Sequence, residues 1–151
     1  EIKNKTDLGL KISSLMSSGS LVDDEIVNRL IKKIVSDKKY ESRYIFDGYP
    51  RNLNQAHNLD NLLRENNQKI DVVLKLSVSL NTIQKRISER LTQEKRPDDN
   101  KEIAIKRYET YEKSTEPVIE YYKKLNLLKV VDGERSIDQI NKEISDIIDL
   151  I

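Results

Sequence analysis

The sequence is short of the residue types from which several common sites are built. It contains no cysteine and one histidine, His57, which excludes a disulfide scaffold and a thiol nucleophile and argues against a metal site built on histidine. The formal net charge of +1 removes the overall positive charge expected of a nucleic-acid or membrane-surface protein. No apolar run approaches the roughly 20 residues of a membrane span, and the first residues lack the apolar stretch of a signal peptide. We therefore expect a soluble intracellular protein that binds neither nucleic acid nor a membrane.

The residues that are present suit one folded domain. The chain has 151 residues, of which 36% are hydrophobic and 35% are charged. This composition is sufficient for a single hydrophobic core, and it is too apolar for a disordered chain.

The spacing of apolar residues predicts alternating helices and strands. Positions three and four apart between Asp7 and Asp37 predict two helices divided at Gly19, the second of which opens at Asp23. Further helices are predicted over 53–65, 80–91, 101–125 with a break at Pro117, and 137–150 after a cap at Ser136. Short β-branched and aromatic runs predict buried strands over 44–46, 72–76 and 127–131. Because helices separate the strands, the predicted fold is α/β, with a parallel sheet flanked by helices.

Of the loops that follow the three predicted strands, the first contains the most candidate functional residues. Ligands of open parallel sheets bind at the carboxyl ends of the strands, and residues 44–46 run directly into Asp47-Gly48-Tyr49-Pro50-Arg51. An ordinary turn with an exposed arginine explains these five residues equally well, because turns recruit such residues for their conformation alone. Gln55, four residues after Arg51, favours a binding site. A guanidinium can grip a phosphate and a carboxamide can read a base edge, so the pair would hold both ends of a nucleotide.

Arginines form a second group in the middle of the chain. Four of the nine arginines fall within one short stretch, namely Arg86, Arg90, Arg96 and Arg107. For any one of them, a solvated surface with ordinary salt bridges is the simpler explanation. Together they favour a phosphoryl-transfer site, because the planar fork of arginine suits phosphate oxygens and a transferring phosphoryl group is stabilised by positioning and positive charge.

These motifs, in this order, resemble the nucleoside monophosphate kinases of the adenylate kinase type. The resemblance runs from Leu8-Gly9 to Val131-Asp132-Gly133 and rests most on Asp47-Gly48-Tyr49-Pro50-Arg51 with Gln55, Arg96-Pro97-Asp98-Asp99-Asn100, and Tyr111-Glu112-Lys113-Ser114-Thr115-Glu116-Pro117. It implies a P-loop NTPase-like fold and a cytoplasmic, monomeric kinase that moves the terminal phosphoryl group of ATP to AMP with Mg²⁺. It also implies a remainder of the NMP-binding segment over 1–22, a core over 23–88 and 100–151, and a short lid over 89–99.

The resemblance assigns the acceptor nucleotide to the first half of the chain. It implies that Arg51 grips the AMP phosphate, that Gln55 hydrogen-bonds the adenine, and that Gly48 is among the AMP-binding residues. The base pocket would be lined by Ser20, Leu21 and Val22, the last through its backbone carbonyl. Asp47 would orient Mg²⁺ through water. Glutamine at position 55 is similar to the AMP-specific members, whereas the uridylate and cytidylate kinases carry asparagine there.

The donor nucleotide is assigned to the second half of the chain. The resemblance implies that Arg86 lies over the donor adenine and that Arg135 faces the base mainly through its backbone. Convergence on the donor and transferred phosphates is implied for Arg90, Arg96 and Arg107, with Arg96 delivered by lid closure. Asp98 and Asp99 would hold the lid arginines in place. His57 has no role in this pattern, and we expect it on the surface.

The chain departs from the family pattern at its beginning and in its lid. Its four glycines stand apart from one another, so they cannot form a Gly-rich phosphate loop. The strand before that loop is central in the related fold, and without it the strands at 44–46 and 72–76 would flank an empty slot. We therefore expect the full protein to carry this segment, or a second chain to supply the strand, and the 151 residues alone to be nearly inactive. In the lid, Glu94-Lys95-Arg96-Pro97 replaces the usual Ser-Gly-Arg, which we expect to stiffen the loop.

Two alternatives to an AMP kinase stay open on the sequence. One is a nucleotide-binding module that has lost catalysis, and the other is a kinase of the UMP/CMP type. The binding module predicts AMP binding that depends on Arg51, without ATP binding. A Gly-x-x-Gly-x-Gly-Lys run in the coding sequence upstream of Glu1 would favour the enzyme. A purely structural helical protein would leave the arginines unexplained.

Overall fold

A computed structural model describes residues 9–10, 22–41, 44–94 and 101–151, with side chains described outside 90–94 and 101–104. The helices and strands are α1 (Asp24–Val35), α2 (Leu53–Glu65), β1 (Val73–Ser77), α3 (Leu80–Glu94), α4 (Lys101–Thr110), α5 (Glu116–Lys124), β2 (Leu128–Asp132) and α6 (Ile137–Ile148). A 3-10 turn, Lys38–Tyr40, follows α1, and a π-helical turn, Tyr111–Thr115, joins α4 to α5. The first of the two helices predicted before Asp37 falls almost wholly outside the described residues.

The described part of the chain holds a sheet of two parallel strands. β1 and β2 pair in register from Val73 with Leu128 to Ser77 with Asp132. The pairing continues beyond β2, where the N–H of Gly133 donates to the carbonyl of Ser77 at 2.9 Å. Because three helices connect these parallel strands, the connection is a crossover. The predicted α/β class, with a helix-flanked parallel sheet, is thus confirmed, and each of these two strands lies within one residue of its predicted position.

The strand predicted over 44–46 is wrong. These residues are extended, but they form no ladder with either described strand. Tyr44 and Phe46 pack against buried side chains of α1 and α2, while Ile45 is 94% exposed. The Tyr44 hydroxyl donates to the carbonyl of Val35 at 3.1 Å. Aromatic packing therefore produces the alternation of buried and exposed side chains that a strand would show, without a β partner.

Helix α2 is the centre of the described core. Its leucines pack against Val35 of α1, and Ala56 packs against Val118 and Tyr122 of α5. Asp60 of α2 accepts a hydrogen bond from the Tyr122 hydroxyl at 3.2 Å. Burial raises the pKa of this hydroxyl well above its usual value, so that it stays a hydrogen-bond donor. The helix that follows residues 47–51 is therefore held on two faces.

Local signals set most of the helix boundaries. Asp23 caps α1 by accepting from the N–H of Glu25 at 2.8 Å, and α6 begins with a capping box between Ser136 and Gln139. Pro117 does not break the helix predicted over 101–125. It lies in the first turn of α5, where its missing N–H costs no hydrogen bond, and the irregularity is the π-helical turn just before it.

None of the described helices has the length and apolar character needed to cross a membrane.

Candidate active site

The residues after Phe46 form a tight turn that presents an arginine. In this Arg51 turn (residues 47–51), the Tyr49–Pro50 peptide bond is cis and Gly48 has a φ of +68°. Arg51 Nε donates to the carbonyl of Gly48 at 2.6 Å, which folds the guanidinium over the glycine. A Cβ on residue 48 would lie 2.8 Å from Arg51 Nη2. Both the backbone conformation and the position of the guanidinium therefore favour glycine here.

Gln55 is bonded directly to the Arg51 turn. Its Oε1 accepts from the backbone N–H of Arg51 at 2.8 Å, and its Nε2 donates to Asp24 of α1 at 2.7 Å. Asn52, the N-cap of α2, also donates to Asp24, at 2.8 Å. Only 2% of Gln55 is exposed. The structure thus brings Arg51 and Gln55 together and adds Asp24, for which the sequence shows only an acidic residue at the start of a helix.

Two more elements hold the Arg51 turn. The Tyr49 hydroxyl donates to Asn28 of α1 at 2.9 Å, and burial raises the pKa of this hydroxyl. The Thr115 hydroxyl, at the end of the π-helical turn, donates to the carbonyl of Arg51 at 3.0 Å. Sequence reasoning missed Asn28 and Thr115 as supports of this turn. Their partners are 21 and 64 residues away, so no local pattern announces them.

A second turn follows β2 and gathers two more of the predicted arginines. In this Gly133 turn (residues 132–136), the carbonyl of Gly133 accepts from Nη2 of Arg86 on α3 at 2.8 Å. Arg135 belongs to the turn and forms an ion pair with Glu143 of α6. The two arginines that the resemblance assigns to the donor base therefore meet around one turn at the carboxyl end of the sheet.

Glu134 fastens the Gly133 turn to the start of α3. Its carboxylate accepts from the Ser79 N–H and from the Thr82 hydroxyl, each at 2.6 Å. The bond from Thr82, followed by those from Ser79, lowers the pKa of Glu134. The carboxylate thus caps the helix that carries Arg86. Sequence reasoning missed Glu134 because its partners lie 52 and 55 residues away.

The other predicted site residues are only partly described. Arg107 is partly buried in the last turn of α4, and Val22 is partly buried just before the cap of α1. Arg90 lies on α3 one turn after Arg86, with its side chain outside the described part of the chain. Outside the described residues altogether are Ser20, Leu21, Arg96, Asp98 and Asp99. The convergence of the arginines on one patch of phosphate oxygens stays a prediction.

Asp47 is the predicted metal residue, and it opens the Arg51 turn with an exposed side chain. Within the described part of the chain, no group of three or more His, Cys, Asp or Glu side chains is placed to hold a metal. A single carboxylate fits Mg²⁺, which keeps several waters and takes its other ligands from substrate phosphates. It does not fit a metal held by protein ligands alone.

A cavity of about 240 Å³ lies away from both turns. Its lining includes Val72 and Leu127, just before the two strands, and Ile147 and Leu150 at the end of α6. It is therefore at the amino ends of the strands, whereas the Gly133 turn is at their carboxyl ends. Its mainly apolar lining has none of the predicted nucleotide-binding residues.

The α/β fold with its parallel strands is consistent with the P-loop NTPase-like class of nucleotide phosphotransferases. One turn joins an arginine to a buried carboxamide, and the other collects arginines at the carboxyl end of a parallel strand. The family model for adenylate kinase matches residues 1–127. The chain belongs to the adenylate kinase family.

Individual relatives agree with this family. The adenylate kinase of Pelagibacter ubique is 44% identical over 174 aligned residues, which cover 98% of this chain and 82% of that protein. The adenylate kinase of Acholeplasma laidlawii is 38% identical, with 98% and 81% covered. That of Bifidobacterium longum is 38% identical, with 95% and 77% covered. The predicted family is confirmed, and neither a UMP/CMP-type kinase nor a binding module without catalysis is favoured.

Proposed function

We propose that this protein transfers the terminal phosphoryl group of ATP to AMP, with Mg²⁺, and so forms two molecules of ADP. The observation that carries the proposal is the hydrogen bond of 2.8 Å between Arg51 and Gln55. It runs from the backbone N–H of Arg51 to the Gln55 carboxamide, and so it keeps the residue whose guanidinium can grip phosphate next to a group that can read a base. Membership in the adenylate kinase family supports the same reaction.

On the acceptor side, Arg51 binds the phosphate of AMP. Its bond to Gly48 uses Nε, which leaves the Nη groups for a bidentate grip on phosphate oxygens. Gln55 binds the adenine, in a pocket to which Gly48, Ser20, Leu21 and Val22 contribute. Because Gln55 is only 2% exposed, the groups that cover it have to move apart before a base reaches it.

On the donor side, Arg86 lies over the adenine of ATP and Arg135 lines the base pocket through its backbone. The phosphates are bound by Arg90, Arg96 and Arg107, with Asp98 and Asp99 holding the lid arginines. The lid over 89–99 is of the short type.

The chemistry requires no covalent intermediate, because two bound nucleotides can react directly by in-line transfer. The arginines align the two nucleotides and place positive charge around the transferring group. Mg²⁺, held through water at Asp47, would neutralise charge on the phosphate oxygens. Closure of the lid excludes water from the reaction. A cytoplasmic, monomeric protein with its core over 23–88 and 100–151 completes the proposal.

AMP binding tests the acceptor half of the proposal. Isothermal titration calorimetry of the full-length protein should show AMP binding that Arg51→Ala weakens by about tenfold or more, because a charge-assisted phosphate contact is lost. Arg64→Ala removes an exposed arginine from the far end of α2, and it should bind AMP as the unaltered chain does. Equal AMP affinity of Arg51→Ala and the unaltered chain would contradict the role of Arg51.

Turnover separates a kinase from a binding module. A coupled assay of ADP formation from ATP, AMP and Mg²⁺ should show activity in the full-length protein. We expect little turnover from these 151 residues alone, because their separate glycines form no phosphate loop. A full-length protein that binds AMP and still forms no ADP would favour the binding module.

A further inference from the structure

Asp24 lies 31 residues from Gln55 in the sequence and contacts it in the fold. Its Oδ1 accepts from Gln55 Nε2 at 2.7 Å and from Asn52 Nδ2 at 2.8 Å, and its Oδ2 accepts from the same Asn52 nitrogen at 3.1 Å. These bonds join the start of α1 to the start of α2. One of these bonds is made by Gln55, the side chain that is proposed to bind the acceptor base.

Within the described part of the chain, the two partners of the Gln55 carboxamide have fixed and opposite polarity. The carboxylate of Asp24 can only accept a hydrogen bond, and the backbone N–H of Arg51 can only donate one. Gln55 must therefore turn its Nε2 toward Asp24 and its Oε1 toward Arg51. Reversing the amide would set its oxygen against the carboxylate and its nitrogen against the N–H, so both bonds would be lost.

Burial makes this orientation hard to reverse. Because Gln55 is only 2% exposed before a base enters, water cannot replace the bonds that a reversed amide would lose. The opposed partners therefore set the orientation in which the carboxamide first meets a nucleotide. This separates Gln55 from an exposed glutamine, whose amide turns to suit its ligand.

The remaining hydrogen-bonding capacity of Gln55 has a defined pattern. One lone pair on Oε1 and one hydrogen on Nε2 are left after the bonds to Arg51 and Asp24. A base that meets both must present a donor to the oxygen and an acceptor to the nitrogen. Adenine does so with its 6-amino group and the adjacent ring nitrogen, whereas hypoxanthine and guanine carry a 6-oxo group beside an N–H, which is the reverse pattern.

We infer that Asp24 is a positioning residue for base selectivity, which makes the acceptor site prefer a 6-aminopurine to a 6-oxopurine nucleotide. The inference rests on the proposed function, in which Gln55 meets the acceptor base. Asp24 itself touches no nucleotide in this account. It acts by holding the carboxamide of Gln55 in the orientation that adenine requires.

The test compares AMP with inosine monophosphate (IMP), which replaces the 6-amino group by an oxo group. Isothermal titration calorimetry of the full-length protein should give a preference for AMP of about 10- to 100-fold, the range expected for a two-bond base contact. Asp24→Asn places a donor as well as an acceptor beside Gln55. The preference should then fall by about fivefold or more, with IMP binding more tightly than before.

Two controls separate orientation from general damage. Glu25→Gln removes one negative charge from the same helical turn, at a side chain that is 81% exposed, and it should leave the preference unchanged. Gln55→Leu should bring the ratio of AMP affinity to IMP affinity close to one, and adding Asp24→Asn to that variant should not change this ratio further. If Asp24 only supported the fold, its replacement would weaken the binding of AMP and of IMP equally. This would hold both in the otherwise unaltered protein and in the Gln55→Leu variant.

The outcomes distinguish this inference from the proposed function. If Asp24→Asn does not give a folded circular dichroism spectrum, Asp24→Ser replaces it, because a hydroxyl also donates and accepts. An unchanged preference in a folded variant overturns the inference. If the unaltered protein binds AMP and IMP equally, and Arg51→Ala abolishes the binding of both, the proposed acceptor site stands and the inference is overturned. A chain that binds neither nucleotide overturns the proposed acceptor site and the inference together.

Discussion

The Arg51 turn and the Gly133 turn both present an arginine to the candidate site, but different interactions hold them in place. The Gly133 turn continues a strand, because the N–H of Gly133 donates to the carbonyl of Ser77 at 2.9 Å and so extends the parallel ladder. The Arg51 turn follows a segment without a ladder, and single side chains hold it, from Gln55, Asn28 by way of Tyr49, and Thr115. One turn therefore depends on backbone geometry, and the other depends on individual polar groups.

The arginines of the two turns also differ in what they offer a ligand. Arg135 in the Gly133 turn is paired with Glu143, so much of its charge is already compensated. Arg51 forms no ion pair within the part of the chain that the structure describes, and its one bonded carbonyl belongs to Gly48. This contrast agrees with the proposal that Arg51 grips a phosphate through its guanidinium, whereas Arg135 serves the donor base through its backbone.

Gly133→Ala should have the largest effect, because the Gly133 turn leaves no room for a Cβ. The added atom would lie 2.7 Å from Val78 Cγ2 and 3.1 Å from the carbonyl oxygen of Ser77. We expect the free energy of unfolding, measured in urea, to fall by about 1–3 kcal/mol, and ATP affinity to fall more than AMP affinity. A loss of stability below about 0.5 kcal/mol would show that the turn is not held by its backbone.

Gly48→Ala should act on the other turn and in a different way. The positive φ costs about 1–2 kcal/mol in a non-glycine residue, while the close contact is with the mobile end of the Arg51 side chain. The guanidinium should move, so AMP affinity should fall by about tenfold through the disturbed phosphate contact. Calorimetry with ATP is the control. An equal loss of ATP and AMP affinity would contradict the separation between the two turns.

The difference between the turns also explains what the sequence could predict. Helices α2 and α6 carry their own periodicity and caps, so their starts at Leu53 and Ile137 agree with the predicted ones. Arg51 and Gln55 are four residues apart, and their proximity follows from one turn and one helix start. The strand over 44–46 was wrongly predicted because β-branched and aromatic residues also suit an extended segment that packs through its side chains without a β partner. A ladder also requires a neighbouring strand, and local sequence does not show one.

The supporting residues of both turns could not be predicted for a related reason. Asp24, Thr115 and Glu134 act on partners that are 28 or more residues away. Each is an ordinary polar residue in its own local context, at a helix start or in a loop. Only the packing of α1, α3 and the π-helical turn gives these side chains their partners, and this packing is absent from any window of the sequence.

Thr115→Val should have a smaller effect, confined to the Arg51 turn. It removes the hydroxyl that donates to the Arg51 carbonyl at 3.0 Å, and a single such bond contributes about 0.5–1.5 kcal/mol. AMP affinity, measured by calorimetry, should fall by about threefold, since the backbone of Arg51 loses one of its supports. Thr110→Val is the matched control, because the Thr110 hydroxyl donates within its own helix, to Lys106 at 2.8 Å. Equal AMP affinities of the two variants would remove Thr115 from the site.

The smallest expected effect concerns Glu134 and depends on pH. Bonds from Thr82 and Ser79 lower the pKa of Glu134 in the folded chain below its ordinary value of 4.5. A lowered folded-state pKa stabilises the fold above the unfolded-state value, and this stabilisation is lost as pH falls through the folded-state pKa. Glu134→Gln should therefore melt below the unaltered chain near neutral pH, and the difference should shrink in acid. Thr82→Val removes the largest cause of the shift and should reproduce most of this pH dependence. A difference in melting temperature that stays constant from about pH 7 to about pH 3 would show that Glu134 is not the charged link between the Gly133 turn and α3.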